Sequence, residues 1–123
     1  MYKHTKECLD AFQAGKVYTA GHDFIAYSSG LNETTWYLHG NAIACRRNNR
    51  FLSVASCGWK SRTTMERINA ILTMLPFKAR VHVVKGTWYL THCGTVGGDE
   101  KTEYFDNGFT FDLADRYGDV TAF

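Results

Sequence analysis

The 123-residue chain is 45% hydrophobic, 15% aromatic and 21% charged, with a formal net charge of +2. Eight Phe, seven Tyr and three Trp can bury a real core, which excludes a disordered tail. No run approaches the ~20 apolar residues of a membrane-crossing helix, and Met1-Tyr2-Lys3-His4-Thr5-Lys6-Glu7 lacks the apolar stretch of a secretion signal. A single soluble domain over residues 1–123 is the expectation.

Charge is unevenly distributed. Residues 99–123 carry seven acids against Lys101 and Arg116, whereas residues 1–98 carry 12 bases and five acids. This permits a basic face for phosphates and an acidic face for a partner, including a second copy of the chain, or simply a solvated C-terminal face. The four cysteines, Cys8, Cys45, Cys57 and Cys93, contain no C-x-x-C pair and read as reduced, mostly buried thiols. His4 and Cys8 would share a helix face and His92 adjoins Cys93, but neither pair completes a metal-ligand set. No metal and no cofactor is expected.

In chain order, Lys6–Ala14 places Leu9 and Phe12 three apart and is closed by Gly15, the pattern of a short amphipathic helix with a glycine cap. Strands follow at 16–20, 23–28, 34–39, 42–46 and 51–56, with turns at Gly30–Glu33 and Gly40-Asn41 and a hairpin loop at Arg47-Asn48-Asn49-Arg50. Met65, Ile68, Leu72 and Leu75 recur at helical spacing, with Ile71 widening the stripe. Thr63 and Glu66 fit a capping box at the start of this helix, and Pro76 stops it. Residues 80–84 and 87–91 form a hairpin pattern, 94–101 read as loop, and Tyr104–Phe111 reads as strand, Asn-Gly turn, strand. The fold class is α+β: an antiparallel meander with one principal helix and a short N-terminal helix.

The richest chemistry lies at Gly58-Trp59-Lys60-Ser61-Arg62-Thr63-Thr64, where a strand meets the helix start. Helix N-termini attract anions through free N–H groups and the dipole. Lys60 and Arg62 add charge, Ser61, Thr63 and Thr64 add hydroxyls, and Trp59 offers a stacking face. A P-loop is absent, and the segment reads equally as a capped helix with Trp59 in the core. Trp36-Tyr37 and Trp88-Tyr89 each place one aromatic on either face of a strand, so one of each pair belongs to the core. Arg116-Tyr117 is a further arginine–aromatic pair. Arg46, Arg47 and Arg50 cluster at a hairpin tip that could grip a nucleic-acid backbone, although such turns more often protect an edge. No catalytic signature stands out: Cys93 with His39 or His82 has the right residue types for a nucleophile pair, without a local motif. The expectation is no enzyme.

Gly40-Asn41-Ala42-Ile43-Ala44, Gly58-Trp59-Lys60-Ser61-Arg62-Thr63-Thr64-Met65-Glu66-Arg67-Ile68-Asn69 and Lys85-Gly86-Thr87-Trp88-Tyr89-Leu90 together resemble a family of small bacteriophage proteins. Its marks are a G-N-x-I-A strand, a G-W-x-[ST]-x-T-T-x-x-R-I-N helix start and a K-G-x-W-Y strand, and the resemblance spans about residues 40–112. Length, layout and arginine–aromatic content are also similar to the phage anti-Thoeris sponges of the first type. That resemblance implies a homo-oligomer in the host cell cytoplasm that sequesters a cyclic ADP-ribose-type signal without cleaving it. Arg62 or Arg67 and Arg116 would hold the diphosphate, and Trp88 or a Tyr would stack on adenine. With Trp59, Lys60 and Thr64 these make up the expected ligand-binding set. The alternative is a nucleic-acid- or host-protein-binding module using Arg46–Arg50.

Overall fold

The computed structural model describes residues 1–93, 98–113 and 120–123. Helix α1 spans Lys3–Ala14 and ends at Gly15, whose left-handed backbone (φ +66°) caps the Ala11 carbonyl. It starts three residues before the expected Lys6 because its buried stripe begins with a polar residue, Thr5, ahead of Cys8, Leu9 and Phe12. Thr5 is buried because it is bonded: its hydroxyl donates to Glu66 (2.9 Å) and accepts from Arg67 (2.7 Å).

Five strands then form a meander: β1 (Tyr18–Ala20), β2 (Asp23–Ser28), β3 (Glu33–Leu38), β4 (Asn41–Arg47) and β5 (Phe51–Ala55). Helix α2 spans Arg62–Leu72. Strands β6 (Ala79–Val84), β7 (Thr87–His92), β8 (Lys101–Tyr104), β9 (Gly108–Asp112) and β10 (Val120–Ala122) complete the described chain. All pairings are antiparallel, in a seven-stranded sheet ordered β1-β2-β3-β4-β5-β9-β10 and a three-stranded sheet ordered β6-β7-β8. The α+β antiparallel class read from the sequence is the class of the structure.

Three local expectations change. The α2 cap is Ser61, whose Oγ accepts the Thr64 N–H at 3.1 Å, and not Thr63. Glu66 does not reach back to close a capping box; it turns to Thr5 and Arg67. Helical geometry also stops at Leu72, and i→i+3 bonds through Thr73, Met74 and Leu75 tighten the chain toward Pro76, so Leu75 is buried outside the regular helix.

The largest change concerns Tyr104–Phe111. Its two strands do not pair with each other: β8 adds to β7, and β9 inserts between β5 and β10. Phe105 is the pivot, fully buried against Trp88 and Phe109, with its N–H on the Trp88 carbonyl. Asn107-Gly108 is therefore a corner between sheets rather than a hairpin tip. A Cβ on Gly108 would lie 2.0 Å from the Val54 carbonyl oxygen, so only glycine fits this crossing.

The core lies between the inner face of the large sheet and the helices. Ile25, Trp36, Leu52, Val54, Phe109 and Phe111 face Phe12, Ile68, Ile71 and Leu72. Each such side chain contributes roughly 1.5–3 kcal/mol on burial. The opposite face carries a transverse row of small neutral residues, Ala26, Thr35, Cys45, Ser53, Thr110 and Thr121, in register across six strands.

Candidate functional site

The loop from β5 to α2 is built by two consecutive left-handed residues, Cys57 (φ +54°) and Gly58 (φ +74°). The Trp59 N–H bonds back to the Ser56 carbonyl at 2.9 Å, which closes the turn and leaves Trp59 57% exposed. Of the three tryptophans it alone faces water; Trp36 and Trp88 are buried. Lys60 donates to the Phe105 carbonyl at 3.0 Å and sits 5.6 Å over the Tyr104 ring. Its ammonium is thereby held beside a second aromatic that is also 57% exposed.

On the other side of Trp59, the β3–β4 turn holds His39 (φ +51°) and Gly40 (φ +79°), the paired left-handed geometry of a two-residue hairpin turn. The His39 ring lies 6.5 Å from Trp59 and stacks on His22 at 4.3 Å. The result is a band of His22, His39, Trp59, Lys60 and Tyr104 that crosses from the large sheet to the small one. Arg62 is exposed in the first turn of α2, two residues beyond Lys60. Such a band offers flat faces for stacking and cations for an anion.

The remaining residues of the expected set lie elsewhere. Thr64 is buried with its hydroxyl 3.0 Å from Ser61 Oγ. Trp88 is 5% exposed and packs edge-on against Phe105 at 5.7 Å. Arg116 lies outside the described residues. Arg67, at 9% exposure, points into the molecule. Its Nε donates to Asp23 Oδ1 (3.0 Å), Nη2 to Asp23 Oδ2 (3.2 Å) and Nη1 to Thr5 and Glu66. Thr64, Arg67 and Trp88 thus present nothing to a ligand at the surface. Only Trp59, Lys60 and Arg62 of the expected set are gathered at the helix start.

In the sequence His22 carries no ligand signal, and His39 stands out only as a partner for Cys93. Tyr104 reads from the sequence as an ordinary strand residue. All four residues of β8 are exposed, because this edge strand has no core face. Alternating hydrophobicity could not reveal this. The Gly40 and Gly58 turns were the available signals.

In the Arg46–Arg50 hairpin, Arg50 is engaged within the fold. Arg46 is half-buried, and desolvation lowers its pKa. Arg47 pairs in register with Glu33. Arg50 makes a bidentate contact with Asp112 at 3.1 and 3.0 Å and lies over Phe51. Among the described residues, no hydrogen bond joins Cys93 to His39 or His82; His82 Nε2 instead contacts Thr91 at 2.7 Å. Burial pushes the Cys8 and Cys45 thiols up to about 11 and raises that of Cys57.

Apart from this surface band, a concavity of ≈ 790 Å³ lies beyond the C-terminal end of α2, lined by Leu72, Leu75 and Phe77 with Lys78, Arg80 and Glu100 at its polar part. Its size falls in the range of small-molecule sites. No described helix is long and apolar enough to cross a membrane.

The geometry defines a small α+β protein with an exposed aromatic and cationic band. The chain belongs to the Kyanoviridae Gp96 protein family, a bacteriophage family whose model matches residues 1–112. No curated protein and no solved structure matches it.

Proposed function

We propose that this phage protein is a non-enzymatic accessory protein that captures a nucleotide-type anion on the band around Trp59. The supporting observation is the Trp59 ring, more than half exposed on a tightly turned loop, with the His39 ring 6.5 Å away and the next residue, Lys60, fixed on the Phe105 carbonyl and over Tyr104. A large aromatic kept in water beside a fixed ammonium suits a base stacked on the ring with its phosphate on Lys60 and Arg62. Sequestration in the host cytoplasm of a cyclic ADP-ribose-type immune signal, as in the anti-Thoeris sponges, is the specific form of this reading. The neutral row on the outer sheet face offers a flat surface for self-association.

Burial keeps the Cys8 and Cys45 thiols protonated at neutral pH, which favours capture over turnover. Native mass spectrometry of the protein with added cyclic ADP-ribose tests the reading. Intact ligand bound at one per chain or per subunit pair is expected. One stacked base is worth about 1–3 kcal/mol, so Trp59→Ala weakens binding roughly 5- to 150-fold. Wild-type binding by Trp59→Ala and Lys60→Ala refutes the band. Loss of binding in Arg80→Ala instead moves the ligand to the ≈ 790 Å³ concavity. The nucleic-acid alternative at Arg46–Arg50 predicts a gel shift that weakens steeply with salt.

A further inference from the structure

We infer that His4, Cys8 and Asp23 form a binding site for one zinc-type divalent ion at the junction of α1 and β2, independent of the Trp59 band. His4 and Cys8 are one turn apart on α1, and Asp23 opens β2. Their donor atoms, an imidazole nitrogen, a thiol sulfur and a carboxylate oxygen, all lie within 4.8 Å of one another. His4 Nε2 is 2.7 Å from Asp23 Oδ2 and 3.9 Å from Cys8 Sγ.

With tetrahedral Zn–N and Zn–O bonds of about 2.0 Å and Zn–S of about 2.3 Å, ligand atoms sit about 3.3 Å (N···O) and about 3.5 Å (N···S and O···S) apart. The ion would displace the His4–Asp23 proton, with the His4–Asp23 separation opening by about 0.6 Å, the His4–Cys8 separation closing by about 0.4 Å and the Cys8–Asp23 separation, within 4.8 Å, closing by at most about 1.3 Å.

The acid is already oriented for this. Asp23 Oδ1 accepts from Trp36 Nε1 (2.8 Å) and Arg67 Nε (3.0 Å), and Oδ2 accepts from Arg67 Nη2 at 3.2 Å. These bonds fix the carboxylate and leave the side of Oδ2 facing His4 for a ligand, the outer-shell support that metal carboxylates ordinarily have. Glu66 offsets the Arg67 charge from the far side.

A mixed N, S and O donor set selects zinc over calcium or magnesium. Cys8 and Asp23 are buried, while the His4 side chain is 38% exposed, so entry and a fourth, exchangeable position lie on the His4 side. A thiol-nucleophile reading of the same three residues fails on geometry. The single nitrogen Nε2 faces both sulfur and carboxylate, so no relay through the ring exists, and Cys8 is 0% exposed.

The test is a titration of the chelator-treated full chain with Co²⁺, followed by displacement with Zn²⁺. One cobalt per chain is expected, with a near-ultraviolet thiolate-to-cobalt absorption and the visible bands of tetrahedral cobalt. Cys8→Ser removes the thiolate absorption. His4→Gln, at the partly exposed ligand, keeps the far-ultraviolet circular dichroism of the wild type and lowers affinity at least tenfold. Zn²⁺ raises the melting temperature of the wild type but not of His4→Gln. The proposal is overturned by a wild type with no thiolate absorption, by absorption that survives Cys8→Ser and so marks another thiol such as exposed Cys57, or by wild-type affinity in folded His4→Gln. Should Cys8→Ser not fold, His4→Gln decides.

Discussion

Replacing Arg67 by alanine tests whether the polar cluster beneath α1 is a structural brace. The guanidinium, 11% exposed at its side chain, pairs with Asp23 at 2% and also holds Thr5 and Glu66. Alanine leaves the Asp23 carboxylate with only Trp36 and His4. Breaking one partner from a buried pair costs about 3–5 kcal/mol, because the remaining charge is stranded in a poorly solvating interior. For a chain of this length that is a fall in melting temperature of about 10–20 °C. The internal control is Lys6→Ala. The Lys6–Asp10 pair is shorter, at 2.6 Å, but 60% and 58% exposed, and it should cost under about 1 kcal/mol.

The pH dependence of the same cluster carries an independent sign. Burial pushes the Asp23 pKa up, but hydrogen bonds from Arg67, His4 and Trp36 outweigh it and hold the carboxyl below its ordinary value. A depressed acid contributes stability that is complete above its unfolded pKa of about 3.9 and is lost as pH falls through the folded value. Urea unfolding of wild type and Arg67→Ala from neutral pH down to about pH 3 reads both effects, and the variant should lose less on acidification. A cost below about 1 kcal/mol with an unchanged acid arm would mean that the cluster is solvated like a surface pair, and the reasoning fails. Folded Arg67→Ala should bind any ligand of the Trp59 band as the wild type does, since Arg67 does not reach that surface.

Three further outcomes are expected. Trp59→Ala stays within about 0.5 kcal/mol of wild-type stability, whereas Trp88→Ala costs about 3–5 kcal/mol by emptying the site against Phe105; denaturant midpoints separate them. Gly108→Ala, whose Cβ meets backbone at 2.0 Å, should fail to give the wild-type fold by circular dichroism, while Gly30→Ala, with open space around its Cβ and no left-handed backbone, should still fold. At alkaline pH the sign reverses from that of Asp23. The Cys8 and Cys45 thiols stay protonated to about 11 in the folded chain, whereas unfolded cysteines ionise near ~8.5. Stability therefore falls between about pH 9 and pH 11, and Cys45→Ala should flatten that fall in a urea series.

What could be read from the sequence, and what could not, divides by the range of the interaction. The α2 stripe of Ile68, Ile71 and Leu72, the Gly15 cap and the meander from Asp23 to Ala55 are local patterns, and all are present. Tyr104–Phe111 carries an equally clear hairpin signature and still divides between two sheets, because Phe105 is buried against Trp88 and Gly108 passes under Val54. The candidate site divides the same way. Exposure of Trp59 follows from the Cys57-Gly58 turn beside it, but an arginine on a helix face reads as anion-binding or solvated until its counter-charge is known. That of Arg67 is Asp23, 44 residues earlier. The same acid also completes the His4–Cys8 pair, which the sequence could only show as incomplete. Asp23 lies in a β2 segment whose local pattern reads as an ordinary alternating strand. One carboxylate, fixed by Trp36 from β3 and Arg67 from α2, thus removes an arginine from the ligand surface and supplies the third donor of a metal site. That dual role appears only once the helices and the sheet are packed together.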